Sequence, residues 1–239
     1  MTEITYILFL SLLAGAAMPT GALLARLDLV HPALLGTSWR HFIVAFGGGA
    51  LISAVALVLV PEGIHKLSPL PAALCFALGG VCFYLLESYL SKLNSPAGQL
   101  VAMLSDFIPE AIALGAAFAV GGSTGFLLAL LMVLQNLPEG FSAFEELNSH
   151  AQIPPNKIVL AFGGLALVGP VSAALGYYLL AEYETLMGGL MLFASAGILY
   201  LVFQDIAPES KLAQQSMPAL GAVAGFLLGM IGHMMISVS

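Results

Sequence analysis

Two stretches set carboxylates into otherwise apolar sequence. LSDFIPEAIAL covers residues 104–114 and LQNLPEGFSAF covers 134–144. Each holds a Pro-Glu pair and a second oxygen-bearing side chain four residues before the glutamate: Asp106 before Glu110, Gln135 before Glu139. Residues four apart share a helix face, so each stretch offers two oxygen donors on one side. Proline lacks an N–H and releases the carbonyl four residues earlier, that of Ser105 for Pro109 and of Leu134 for Pro138. Carboxylate, amide and carbonyl oxygens are the donors that hard divalent cations take. A charge at the bilayer centre costs about 2.5–3.5 kcal/mol on insertion scales. Neighbouring carboxylates repel and take up protons unless a cation joins them.

The chain around these stretches has 239 residues, 60% hydrophobic and only 8% charged. Soluble domains carry about 25% charged residues, so this composition cannot cover a water-soluble globule and points to an integral membrane protein. The net charge of −7 argues against nucleic-acid binding, which needs basic faces. Cys75 and Cys82 stand seven apart, about 10 Å along a helix, too far for a disulfide; they read as core residues. The N-terminal run lacks a basic leader and carries Glu3, so it reads as an uncleaved first span. The ten methionines read as packing residues.

Apolar runs separated by polar or Gly/Pro punctuation give eight spans, at about 4–24, 42–62, 70–90, 98–119, 123–144, 158–181, 186–206 and 217–238. Each is near the ~20 residues needed to cross a bilayer as a helix, and too evenly apolar for barrel strands. The expected fold is an all-α membrane protein, one domain over 1–239, built as an eight-helix bundle. Span 2 ends VLVPEG (58–63) and span 7 ends FQDIAPES (203–210). The echo suggests spans 1–3 and 6–8 as inverted repeats around spans 4 and 5, an architecture that puts a site near the membrane midplane. Arg26, Arg40, Lys92, Lys157 and Lys211 fall on one side and Lys66 on the other, which predicts both termini outside the cytoplasm. The plasma (inner) membrane is the expected location.

Spans 4 and 5 join through AVGGSTG (119–125) and should run antiparallel. Residues whose numbers sum to about 245 then lie level, pairing Asp106 with Glu139 and Glu110 with Gln135. Spans 2 to 8 hold no Lys or Arg to neutralise them. A bound metal ion is the simplest counter-charge, and a neutral hydrogen-bonded network is the alternative.

At this point the sequence resembles the ZIP (Zrt/Irt-like) family of divalent-metal transporters, as a divergent member. The likeness rests on Gln135-Asn136-Leu137-Pro138-Glu139-Gly140 in span 5, a full match to the family's motif. Asp106-Phe107-Ile108-Pro109-Glu110-Ala111 in span 4 is a partial match, and LVPEGIHKL (59–67) and YLVFQDIAPES (200–210) add to it. The resemblance implies eight spans, termini outside and a binuclear metal centre between spans 4 and 5. Departures narrow that expectation. Asp106 stands where the family has histidine, Phe107 where it has asparagine, and Gly169-Pro170 where many members carry Glu-Pro. One metal site is therefore expected, lined by Asp106, Glu110, Gln135 and Glu139 with Asn136 as an accessory ligand. Its oxygen donors shift preference from Zn²⁺ toward Mn²⁺, Fe²⁺ or Mg²⁺. The family's histidine-rich loop between spans 3 and 4 has no counterpart in SKLNSPAG (91–98).

The expected function is a transporter, not an enzyme, moving Zn²⁺/Mn²⁺/Fe²⁺-type cations toward the cytoplasm by alternating access. The cation is substrate, no organic cofactor is implied, lipid surrounds the chain, and a homodimer is left open. Rival readings are a proton- or organic-substrate carrier, an intramembrane hydrolase, and a degenerate member that no longer transports. Asp205 and Glu209 could line the cytoplasmic exit, and Glu62 and His65 could gather ions outside. Glu87 reads as isolated, and Glu145, Glu146 and His150 as a solvated loop. The Gly-rich runs 47–49, 163–164 and 188–189 suit close helix approach.

Overall fold

In the computed structural model the described residues are 3–30, 36–93, 96–119, 124–149, 153–180, 182–211 and 216–237. Nearly all are helical and none lies in a strand. The chain order is α1 (Glu3–Val30), α2 (Thr37–His65), α3 (Pro69–Leu93), α4 (Pro96–Ala119) and α5 (Thr124–Ser149). Then come α6, made of Pro155–Ala166, Val168–Leu175 and a π-helical stretch Gly176–Leu180, then α7 (Glu184–Ser210) and α8 (Met217–Ser237). Among the described residues, seven helices, α1–α3 and α5–α8, are long and apolar enough to cross a membrane. The architecture is an all-α membrane bundle, because backbone groups in lipid must be satisfied within their own segment. Several helices outrun the apolar runs: α1 reaches Val30, α2 starts at Thr37 and α5 continues to Ser149. Hydropathy ends where lipid ends; helical hydrogen bonding does not. Glu145 and Glu146 are therefore helical, not part of a loop, while His150 falls outside the described residues.

The helix ends sort into two faces. At one, Arg26 Nη1 of α1 donates to Asn156 Oδ1 of α6 at 2.7 Å, and Arg40 Nη1 of α2 meets Glu145 Oε1 of α5 at 2.7 Å. At the other, Tyr177 OH of α6 donates to Glu3 Oε2 of α1 at 3.3 Å. Neighbours therefore run alternately up and down, and five of the six basic residues share the first face.

Interior and periphery separate clearly. In α2 67% of the most apolar window is buried, and in α5 and α7 61%, against 17% in α3 and α8. Packing partners pair off. α2 packs on α8 as α7 packs on α3; α1 packs on α5 as α6 packs on α4; α2 meets α5 as α7 meets α4. Both α2 and α7 widen into a five-residue π stretch, Val55–Leu59 and Val202–Ile206. Each stretch starts six residues before a proline, Pro61 or Pro208. A proline ring collides with the carbonyl four residues back, and the wider π turn gives it room.

Two kinds of contact hold the helices. Some are backbone against backbone, where glycine lets helices close in. Gly21 faces the Leu137 carbonyl and Gly140 that of Met18, welding α1 to α5; Gly115 faces the Ala173 carbonyl, welding α4 to α6. Gly49 and Gly225 do the same between α2 and α8, and Gly79 between α3 and α7. Among the described residues every such approach stays within one of two sets, α1/α4/α5/α6 or α2/α3/α7/α8. Between the sets the closest glycine contacts are to side chains, as where a carbon on Gly47 of α2 would stand 2.6 Å from Pro138 Cγ of α5 and 3.9 Å from the Gln135 carbonyl oxygen. The run 47–49 thus serves close approach, as does Gly188, which faces Lys66 and the Gly63 carbonyl. Gly163 and Gly164 do not: a carbon added on either would meet nothing within 4 Å. The cysteines are free, and Cys82 is exposed on the outer surface of α3 rather than in the core.

Candidate metal centre

α4 and α5 lie side by side, closed at one end by Phe118 against Phe126, with ring centroids 4.9 Å apart. From there the antiparallel register brings together the residues whose numbers sum to 245. Gln135 Nε2 donates to Glu110 Oε2 at 2.5 Å. Asp106 has Glu139, Glu110 and Asp205 as electrostatic neighbours. Asp106, Glu110 and Gln135 are buried, and Glu139 is half-buried.

Two oxygens of this group stand out. Asp106 Oδ1 and Gln135 Oε1 are buried with no hydrogen-bond partner. A buried acceptor without a donor forfeits its hydration, so such a pair is where a donor or a cation would be expected to act. By giving its N–H to Glu110, the Gln135 amide directs its oxygen elsewhere. The four side chains are therefore oxygen-rich, inside the bundle, and lack a basic neighbour in the contacts that describe them. Among the described residues, however, no three His, Cys, Asp or Glu side chains converge closely enough to hold a metal ion by themselves. Any ion here would have to count the Gln135 amide or draw the carboxylates inward.

The residue after each leading donor has another task. Asn136 Nδ2 donates to the Ala14 carbonyl of α1 at 3.0 Å. Its amide nitrogen is engaged in helix packing, whereas the atom a metal ion would take is the amide oxygen. Phe107 is 1% exposed and sits on α6: a carbon on Gly169 would stand 2.7 Å from Phe107 Cζ and 2.7 Å from the Ser11 carbonyl oxygen of α1. Phe107 and Gly169 were each visible in sequence as a departure. That they fill one another's space was not, because it depends on how α4 and α6 are rotated.

The outlying candidates divide. Asp205, in the π stretch of α7, neighbours Glu87, Glu146 and Glu209 as well as Asp106. Glu87 of α3 is within electrostatic reach of Asp205 and Tyr200, and Tyr200 stacks edge-on with Tyr84 at 6.4 Å. Glu209 accepts a side-chain hydrogen bond from Ser142 of α5, and its carbonyl oxygen lies 2.8 Å from His41 Nδ1 of α2. An acidic row therefore leads from Asp106 toward the basic face. At the opposite face Glu62 is half-exposed and 4.0 Å from Lys66 Nζ, while His65 is exposed.

A scan against protein-family models gives no match for the chain, and a search of curated proteins gives none either.

Proposed function

We propose that the protein is a ZIP-like carrier of divalent metal ions. The reading rests above all on one observation: two buried oxygens without partners, Asp106 Oδ1 and Gln135 Oε1, beside Glu110 and Glu139. A dication replaces part of its water shell with these oxygens and neutralises carboxylates that otherwise repel. The all-oxygen set favours Mn²⁺, Fe²⁺ or Mg²⁺ over Zn²⁺. Phe107 seated on Gly169 closes the α6 side with hydrocarbon, which supports a single ion per chain.

The paired packing of α2 with α8 and α7 with α3, and the matching π stretches, support inverted repeats around α4 and α5. All eight helices span the membrane in this reading. The basic face is cytoplasmic, so the termini lie outside, in the plasma (inner) membrane. The two welded sets then move against each other to expose the site alternately, and Asp205 and Glu209 line the way out.

Uptake by proteoliposomes tests the proposal. Mn²⁺ or Fe²⁺ enters, and Asp106→Ala with Glu139→Ala reduces saturable uptake by about a hundredfold or more, the scale of two lost charged ligands. Uptake that survives the double change removes these residues from the route. A second reading, a proton or organic-substrate carrier, draws on the lack of a tight three-acid cluster. Proton flux that ignores metal would select it. Cleavage of a substrate without flux would select an intramembrane hydrolase, and binding without flux a degenerate transporter.

A further inference from the structure

The seam between the two welded sets differs at its two ends. At the basic face polar ties cross it from the last turns of α5. Glu145 Oε1 meets Arg40 Nη1, in the first turn of α2, at 2.7 Å. One turn earlier Ser142 donates to the Glu209 side chain of α7. Both partners belong to the other set. At the opposite face the described ties stay within a set: Tyr177 with Glu3 joins α6 to α1, and Lys66 with Glu62 stays at the end of α2. There, α8 meets α5 through Gly232 against Leu127 and Leu130.

Position and strength both suit a releasable tie. Arg40 and Glu145 side chains are 33% and 39% exposed, so water reaches them and the pair is weak enough to break and reform. Each is anchored on a helix that is itself welded to other members of its set, α2 to α8 and α5 to α1. Separating the pair therefore moves whole sets rather than one side chain. Below it lies the acidic row of Glu146, Glu209 and Asp205, which leads to Asp106.

We propose that Arg40–Glu145, seconded by Ser142–Glu209, is a latch that holds the two helix sets together at the basic face and must open before Asp106, the buried inner end of the acidic row, meets water. The inference depends on the seam and not on the identity of the cargo.

Amide hydrogen exchange on the full chain in nanodiscs tests it. Arg40→Gln and Glu145→Gln should each speed exchange about two- to fivefold in residues 37–44 and 142–149, the scale of a partly exposed ion pair. The welded segments 11–22 and 110–118 should keep their wild-type rates. The reversed pair, Arg40→Glu with Glu145→Arg, should restore slow exchange at the face. Unchanged exchange in the single variants overturns the latch. So does acceleration spread evenly through 11–22 and 110–118, which would mark the pair as part of general stability. Failure of the reversed pair to restore protection overturns it as well.

Discussion

The Pro-Glu turn of α4 and that of α5 start from one template and finish on different chemistry. Asp106 and Gln135 hold the same place, as do Phe107 and Asn136, Glu110 and Glu139, and Ala111 and Gly140. The leading oxygens and the glutamates turn to the shared interface. The second residue of each turn reaches outward to the helix welded behind it. Asn136 does so with a hydrogen bond to the Ala14 carbonyl of α1, and Phe107 with a ring laid on Gly169 of α6. The fourth pair differs too. Gly140 brings α5 against the Met18 carbonyl, whereas α4 carries a methyl at Ala111 and makes its close approach one turn later, at Gly115 against Ala173. One turn is thus fastened by polar and backbone contact, the other by a buried aromatic. The contrast teaches that the shared task is to hold two oxygen donors at a fixed rotation, and that the means of holding them is free to vary.

Three substitutions break this comparison, in falling order of effect. Phe107→Ala removes a fully buried ring between α4, α6 and α1, and should cost about 3–5 kcal/mol in reversible unfolding in detergent. A cost below that of Asn136→Ala would show that the ring is not the fastening of α4. Gly140→Ala pushes a methyl into the Met18 carbonyl and should cost about 1–3 kcal/mol. Because that neighbour is backbone, relief requires α1 to move, and exchange along residues 14–22 should quicken with it. Wild-type exchange there would mean that α1 and α5 are held elsewhere. Asn136→Ala deletes one buried hydrogen bond and should cost about 1 kcal/mol. If it instead abolished cation binding while leaving stability intact, Asn136 would be a ligand after all, and the two turns would differ in chemistry as well as in fastening.

Reading the fold from sequence succeeded where the physics is local. Apolar length and the near absence of charge dictate helices in a membrane. The four-residue spacing within each Pro-Glu stretch and the short link after Ala119 set which residues would lie level, and Gln135 does meet Glu110. The Pro-Glu echo of α2 and α7 reappears as two π stretches at matching offsets. Where reading failed, the missing information was rotational. Nothing in Glu87 announces Asp205 as a neighbour, and nothing in Gly163-Gly164 tells that both face open space while Gly47 grips Pro138. Helix ends were also misjudged. Glu145 looked like a loop residue because polarity rises there, yet α5 continues and carries it to Arg40.

Sequence by itself therefore determined the class of molecule and which of its oxygen donors lie level. Composition decides the solvent, and the helical period decides which side chains share a face. Tertiary structure alone decided which helices weld through backbone and which meet through side chains, what Phe107 and Asn136 fasten, and where the charged tie crosses the seam. Those outcomes depend on how each helix turns about its own axis against its neighbours, and glycine, ring and carbonyl can fit in many ways until all the partners are in place.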